Sequence, residues 1–341
     1  MISEIAFCAV ACFKYYKLSA HRVQHFYLRG FLTRVAQRRR GAKIFLECFA
    51  FSLRLRVKIN LMKILITGGS GFLGTHVRKF FDADDFSRRS GLDILNMQDA
   101  QRVKDYDVVI HLAALLDKSP DATEMSYLTN VDGTINLLRS MNENSTFIFA
   151  STKDVYGRFA DNYAEVPESC PTVYAGQTAL EWSKLIAERY VEFYAHQNNF
   201  RSCIFRLSTI YATKSEGNQP NFVSHYADAF NTGEPLRLPA NGAPRRDLLH
   251  VEDFAKACKA FIDSVIRHGL YNLGGGRENA VTLRELFGKL ETASGYQTSI
   301  DETNPLPAPV PMNYVSDLSL ITQELDWKPE IGLDEGLKTL F

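Results

Sequence analysis

The clearest pattern of apolar and polar positions begins at residue 64. The apolar run Ile64-Leu65-Ile66 passes through Thr67 into Gly68-Gly69-Ser70-Gly71, after which Phe72, Leu73, Val77, Phe80 and Phe81 recur at helical spacing. A run this short suits a strand buried on both faces, so the stretch predicts strand, tight turn and amphipathic helix. The residues from Asp82 to Gly91 leave room for a very short second strand, and Tyr106–Ala114 and Phe147–Thr152 repeat the buried-strand pattern. Further on, a helix is predicted over Phe222–Phe230 and a strand over Pro235–Leu238. The stretch Asn304–Pro311 holds four prolines and predicts an extended connector before the final helices. Strands alternating with helices predict an α/β fold built on a doubly wound parallel sheet.

The glycines Gly68, Gly71 and Gly74 are spaced GxxGxxG at the strand-to-helix junction. Such a junction takes a tight turn at Gly68, lets a pyrophosphate approach the backbone at Gly71 and brings the helix close to the strand at Gly74. The free N–H groups at the helix start, around Phe72 and Leu73, then face anionic oxygen. This predicts a dinucleotide site on a Rossmann-like sheet. Where an NAD-selective site would place a carboxylate against the adenosine ribose, the chain offers Arg88 and Arg89. A guanidinium there pairs with a 2′-phosphate, which tilts the choice between NAD and NADP toward NADP, although a solvated basic loop explains the two arginines equally well. Asp93, followed by Ile94, is placed to accept from the adenine amino group, and the small residues of Leu112-Ala113-Ala114 let a cofactor lie across the carboxyl edge of the sheet. His111 reads as a packed strand-end histidine.

Composition adds a boundary. The 341 residues are 45% apolar and carry 39 basic and 39 acidic side chains, but residues 1–61 hold twelve Lys/Arg and two Asp/Glu, leaving 27 and 37 for the rest. The main body therefore has no basic surplus arguing for nucleic acid. In residues 1–61 no apolar stretch reaches the roughly 18 residues of a membrane span, because Lys14, Glu47 and Arg54 interrupt. The segment reads as a basic extension outside the fold, upstream of a natural start at Met62, with a targeting peptide as the alternative. Cys8, Cys12, His21 and His25 are too closely spaced for the usual zinc finger, so no metal is expected. Six scattered cysteines suggest no disulfide framework and a cytoplasmic setting.

Further motifs follow in order. They are Thr129-Asn130-Val131-Asp132-Gly133-Thr134, Phe147-Ile148-Phe149-Ala150-Ser151-Thr152-Lys153-Asp154-Val155-Tyr156-Gly157 and Ser183-Lys184-Leu185-Ile186-Ala187-Glu188. Then come Arg206–Tyr211, Arg246–Asp253, Tyr271–Gly274 and Leu325–Pro329. Together with the glycine turn, these resemble the extended short-chain dehydrogenase/reductase superfamily of NAD-dependent nucleotide-sugar epimerases and dehydratases, across essentially all of residues 62–341. The resemblance implies a cofactor-binding domain over 62–211 and, over 212–341, a smaller C-terminal α/β substrate lobe with some segments returning to the first domain. It also implies a nucleotide-sugar substrate, a homodimer as one assembly option, Asn130 at the cofactor, and Asn221 and Arg246 at the substrate. Arg246 would clamp the diphosphate, since a planar fork suits bidentate recognition; a surface pair with Asp247 or Glu252 is the alternative.

In that superfamily a Ser/Thr, a Tyr and a Lys catalyse proton exchange with a sugar hydroxyl while hydride moves to or from nicotinamide. Thr152 and Lys184 match two of these positions, and Lys184 would also hold the nicotinamide ribose. The tyrosine should stand four residues before the lysine, where this chain has Leu180. Leucine cannot carry a proton. Tyr174, in the loop before the helix, is the remaining tyrosine candidate, ten residues from Lys184. Family dehydratases carry Thr-Asp-Glu where this chain has Thr152-Lys153-Asp154, so elimination is disfavoured. The reading is an NAD(P)-dependent nucleotide-sugar epimerase, at C4, working through a transient keto sugar. A reductase or dehydratase is the alternative enzyme, and a catalytically silent nucleotide-sugar binder is the alternative that Leu180 brings in.

Overall fold

The computed structural model describes residues 62–213, 221–301 and 310–341, and within it Met62–Phe341 forms one unit. The readings made of residues 1–61 and of most of the proline-rich connector lie outside the described residues.

The chain opens with β1 (Ile64–Thr67), turns, and continues as α1 (Phe72–Phe81) into the three-residue β2 (Asp84–Phe86) and then β3 (Val108–His111). A run beginning at Thr123–Tyr127 passes a π turn at Leu128–Asp132 and continues as α2 (Gly133–Arg139). Next come β4 (Thr146–Thr152), α3 (Ala179–Gln197) and β5 (Arg201–Leu207). After β6 (Thr209–Tyr211), α4 (Phe222–Thr232), β7 (Leu236–Arg237), β8 (Arg245–His250) and α5 (Val251–Asp263), β9 (His268–Leu273) returns to the first sheet. The chain finishes through β10 (Ala280–Thr282), α6 (Leu283–Ser294), β11 (Ile300–Asp301), β12 (Asn313–Tyr314), α7 (Ser319–Leu325) and α8 (Leu333–Lys338).

The main sheet is parallel, in the order β2-β1-β3-β4-β5-β9. Its strands read as near-continuous apolar runs because both faces are covered. Ile66, Ile110, Ile148 and Phe205 pack with Val77 of α1 and Phe254, Ala257 and Phe261 of α5. On the opposite face Leu65, Val109, Phe147, Phe149 and Ile204 meet Leu137 and Leu138 of α2 and Ala187, Val191 and Ala195 of α3. Burying each large side chain of this kind contributes roughly 1.5–3 kcal/mol. The predicted strand over Tyr106–Ala114 pairs only as far as His111, because Leu112–Ala114 leave the ladder at the sheet edge.

A second, mixed sheet centres on β8, which is antiparallel to β10 and parallel to β12 and β6. Its core, including Tyr226, Phe230, Leu248, Leu286, Phe287 and Leu337, is separate from the two sheet faces above. The architecture is therefore α/β, with a six-stranded Rossmann-like sheet and a smaller second sheet. In the main sheet, chain order reverses between β1 and β3, since β2 lies on one side of β1 and β3 on the other. Open α/β sheets bind ligands at such a switch point, outside the carboxyl ends of the strands.

Candidate active site

The glycines fill the switch point for steric reasons. Gly68 has φ +68°, and a Cβ there would lie 2.7 Å from the Ala113 nitrogen, while one at Gly74 would lie 2.1 Å from the Gly68 carbonyl oxygen. Gly71 donates its N–H to Gly68 O at 2.9 Å, which closes the turn at the start of α1. Leu112 and Ala113 reach back to β1, their N–H groups donating to Thr67 O and Thr67 Oγ1 at 3.0 and 3.3 Å. At Gly68, Gly71 and Gly74 the turn presents main chain without side chains at a helix N-terminus, as a dinucleotide pyrophosphate requires.

Beside the turn, His111 is buried between Thr67 Oγ1 at 2.5 Å and Thr134 Oγ1 at 2.9 Å. Burial, with Lys184 adding to it, drives its pKa far below the usual histidine range, so the ring is neutral and bridges two hydroxyls. Arg88 and Arg89 occupy a short turn after β2 that Ser87 caps, and Arg89 Nη1 donates to the carbonyl of Ser70 in the glycine turn at 3.3 Å. Asp93 Oδ1 accepts from Leu95 N–H at 3.0 Å, and Ile94 packs on Gly133 in the core. Phe72 and Leu73 are half-buried against the opposite core face.

Lys184 projects from α3 onto β4. Its Nζ donates to Ala150 O at 2.8 Å, two residues before Thr152, and lies 4.7 Å from the Phe149 ring centroid. Burial lowers its pKa to about 7, partly offset by Glu188 one turn along. Glu188 is itself engaged: Arg206 donates to both its oxygens at 3.1 and 2.7 Å, and Ser151 Oγ donates at 2.5 Å. Arg206 also donates to Tyr156 Oη at 3.0 Å, whose hydroxyl donates to Asn272 at 2.7 Å. This buried network fixes the ends of β4, β5 and β9 around the lysine. Sequence reasoning did not single it out, because ordinary spacing gives no sign that Glu188 of α3 and Arg206 of β5 meet.

Thr152 ends β4, and its Oγ1 accepts from Asp154 N–H at 3.2 Å, which leaves its own hydroxyl proton to donate. Leu180 is buried at 6% exposure on α3, whereas Tyr174 is 70% exposed. Among the described residues no hydrogen bond joins Tyr174 to Thr152 or Lys184.

Two other expected site residues have different partners. Asn130 is buried, its Oδ1 accepting from Leu115 N–H at 2.8 Å and its Nδ2 donating to Leu115 O and Ser183 Oγ at 3.0 and 2.9 Å, so it ties the loop after β3 to α3. Arg246 spends its guanidinium on the carbonyls of Arg245, Met312 and Pro311 at 2.6, 3.0 and 2.8 Å. It holds the chain entering β12, and no ion pair joins it to Asp247 or Glu252 among the described residues. Asn221 caps α4, accepting from Ser224 N–H at 2.7 Å and donating to Ile210 O at 2.8 Å.

Two charged residues missed in the sequence also sit here. Lys118 Nζ, in the loop after β3, is 2.8 Å from Asp154 Oδ2 and 2.7 Å from Glu181 Oε1. Asp154 is also paired with Lys153, and Lys118, Asp154 and Glu181 line a narrow recess with Val310 and Pro311. Nothing in the spacing marks Lys118. Glu181 was legible only as the partner of Thr178 in the capping box that starts α3. A roomier groove, lined by Arg189, Phe193, His196, Ser202 and His268, lies toward the amino ends of β5 and β9, away from this chemistry.

A parallel sheet with a glycine turn at its switch point, and a buried lysine on a helix packed against the strand that ends in a threonine, has the layout of a nucleotide-binding protein of the short-chain type. The chain belongs to the NAD dependent epimerase/dehydratase family, whose profile matches residues 64–274. It is similar to the CDP-paratose 2-epimerase of Salmonella typhi, 29% identical over 333 residues that cover 82% of this chain and 98% of the relative. A putative UDP-glucose 4-epimerase of Methanocaldococcus jannaschii is 28% identical over 302 residues, covering 81% and 96%. Among solved structures, the UDP-glucuronic acid 4-epimerase of Bacillus cereus in complex with UDP-glucuronic acid and NAD superposes with a TM-score of 0.71 at 22% identity, covering 82% of this chain and 98% of the other.

Proposed function

We propose that the protein is an NAD(P)-dependent nucleotide-sugar epimerase acting at C4 through a transient keto sugar. The observation that carries this reading is the placement of Lys184, buried against β4 with its Nζ on the carbonyl of Ala150, two residues before Thr152, in a sheet whose switch point carries the glycine turn. When bound there, nicotinamide supplies a hydride acceptor and donor. The N–H groups at the start of α1 would hold the pyrophosphate. Thr152 would donate its hydroxyl proton to the reacting sugar oxygen, and Lys184 would supply a charge that moves easily near neutral pH.

The turn carrying Arg88 and Arg89 supports NADP over NAD, since Arg89 already reaches the glycine turn, where an adenosine 2′-phosphate would approach. Relatives named as 4-epimerases support the choice of carbon. Elimination is disfavoured because Lys153 stands at the acid position of the dehydratases and is paired with Asp154. One observation favours a second reading, a catalytically silent nucleotide-sugar binder: Leu180 fills the position of the proton-carrying side chain. Proton NMR of a panel of UDP-, dTDP- and CDP-sugars, incubated with the protein and either nicotinamide nucleotide, separates the two. The epimerase produces a C4 epimer without net cofactor reduction; binding with every sugar unchanged sinks the epimerase and leaves the binder.

A further inference from the structure

His111 ends β3 fully buried, its ring against those of Phe147 and Phe149 of β4 at 5.6 and 5.7 Å between centroids. Its partners fix where its proton lies. Thr134 Oγ1 donates to Asn130 O at 2.6 Å, so its one proton is spent and it accepts from His111 Nε2 at 2.9 Å. The ring proton is therefore on Nε2, and Nδ1 accepts from Thr67 Oγ1 at 2.5 Å. With its own proton given to the ring, Thr67 Oγ1 is left to accept from Ala113 N–H at 3.3 Å. The opposite tautomer would strand the Thr67 proton and leave the oxygens of Thr134 and Asn130 at 2.6 Å with no proton between them.

The line does not stop at Asn130. Its side chain grips Leu115 at both N–H and C=O and donates to Ser183 Oγ, whose own proton goes to Leu180 O at 2.8 Å. A directed line of hydrogen bonds thus runs from β1 through β3 and α2 to α3, at the residue before Lys184. The strip Leu112–Leu115 is held by it twice, at Ala113 by Thr67 and at Leu115 by Asn130. That strip walls the glycine turn, since a Cβ on Gly68 would lie 2.7 Å from Ala113 N. We propose that His111 is a positioning residue for the nicotinamide nucleotide, holding the main chain of Ala113–Leu115 against the dinucleotide turn through Thr67 at one end and through Thr134 and Asn130 at the other. This rests on the cofactor half of the reading above.

The role needs a neutral ring. An imidazolium would turn a second N–H toward Thr67 Oγ1, which already accepts from Ala113, and would strand the Thr67 proton. Burial, with Lys184 of α3 adding to it, keeps the ring unprotonated. Both ring nitrogens are spent on the two hydroxyls, so the ring acts on the nucleotide only through the strip. Its loss therefore loosens the strip and removes no contact to the ligand.

The test titrates the full chain with NAD and with NADP by calorimetry, against variants shown to be folded by thermal melting. His111→Phe keeps a ring against Phe147 and Phe149 and removes both nitrogens, and Thr134→Val keeps the shape and removes the hydroxyl. Each should weaken the tighter nucleotide by about tenfold, the scale of one net hydrogen bond. The double variant should lose little more than either alone, because both break one line. His111→Gln, which keeps a donor for Thr134, should regain about threefold of the loss. In the ¹⁵N-labelled wild type, the ring signal that either His111 variant removes should show its proton on Nε2 and stay unchanged from pH 5 to pH 8. Should His111→Phe not fold, Thr134→Val and this ring signal decide. Wild-type affinity in a folded His111→Phe or Thr134→Val, even with a lower melting temperature, overturns the proposal, because the histidine is then structural. A ring proton on Nδ1, a ring that titrates in that range, or a double variant that loses the product of the two single losses also overturns it. A wild-type chain that binds NAD(P) but interconverts no sugar of the panel overturns the epimerase reading and leaves this proposal standing. One that binds neither nucleotide overturns both.

Discussion

The two halves of the site are built from different material. The glycine turn is main chain: Gly68, Gly71 and Gly74 matter for what they lack, and their positions follow from the backbone of β1, β3 and α1. The strip from Thr152 to Lys184 is side chain, held by buried charge, with Lys184 on Ala150, Glu188 on Arg206 and Asp154 between two lysines. A main-chain site tolerates little change and accepts one kind of ligand. A side-chain site can exchange members while the frame stays, and Leu180, where the resemblance expects a tyrosine, is the position proposed as such an exchange.

The sharpest way to break the comparison is at Gly74. A Cβ there would lie 2.1 Å from Gly68 O and 2.6 Å from Gly69 Cα, both backbone atoms that cannot move aside. Gly74→Val should reduce NAD(P) affinity by at least about a hundredfold in titration calorimetry, or prevent folding, with circular dichroism separating the two outcomes. Next in size is Glu188→Gln, which leaves the Arg206 guanidinium buried without its charge partner. Urea unfolding should show a loss of about 3–5 kcal/mol, the scale seen when one member of a buried pair is removed. A loss below about 1 kcal/mol would mean that the network is not what fixes the strand ends around Lys184.

The smallest effect is a pH slope. Lys184 has a folded pKa of about 7, below its unfolded value near 10.4. Between these two values the unfolded chain binds the extra proton, so this group makes stability rise with pH from about 7 to about 10 and adds no slope below about 6. Lys184→Met should flatten that rise in urea titrations at pH 7, 8 and 9. An unchanged slope would mean that Lys184 stays charged in the folded protein.

The same division explains what the sequence could show. Strand, turn and helix at residues 64–81 are written in local spacing, and so is the burial of both sheet faces, because apolar periodicity and glycine chemistry act over a few residues. Motif order pointed to Thr152 and Lys184, and the fold sets Lys184 of α3 against Ala150, two residues before Thr152 on β4. Side-chain partners were not legible. Arg246 has the chemistry of a phosphate clamp, and three of its five N–H donors go to carbonyls 65 and 66 residues away and to its own neighbour, which no local spacing foretells. Asn130, expected at the cofactor, also ties Leu115 to α3 through Ser183, 53 residues further on. Lys118 reaches Asp154 over 36 residues, a distance at which one loop lysine looks like any other. A second strand of only three residues was readable because Asp82–Gly91 has no room for more.

Titration calorimetry of the full chain with NAD and with NADP tests the main-chain half most directly. Expected is one nucleotide bound per chain, NADP at least as tightly as NAD, and binding lost in a folded Gly74→Val variant. No heat with either nucleotide, or equal binding by Gly74→Val, would contradict a cofactor held at this turn.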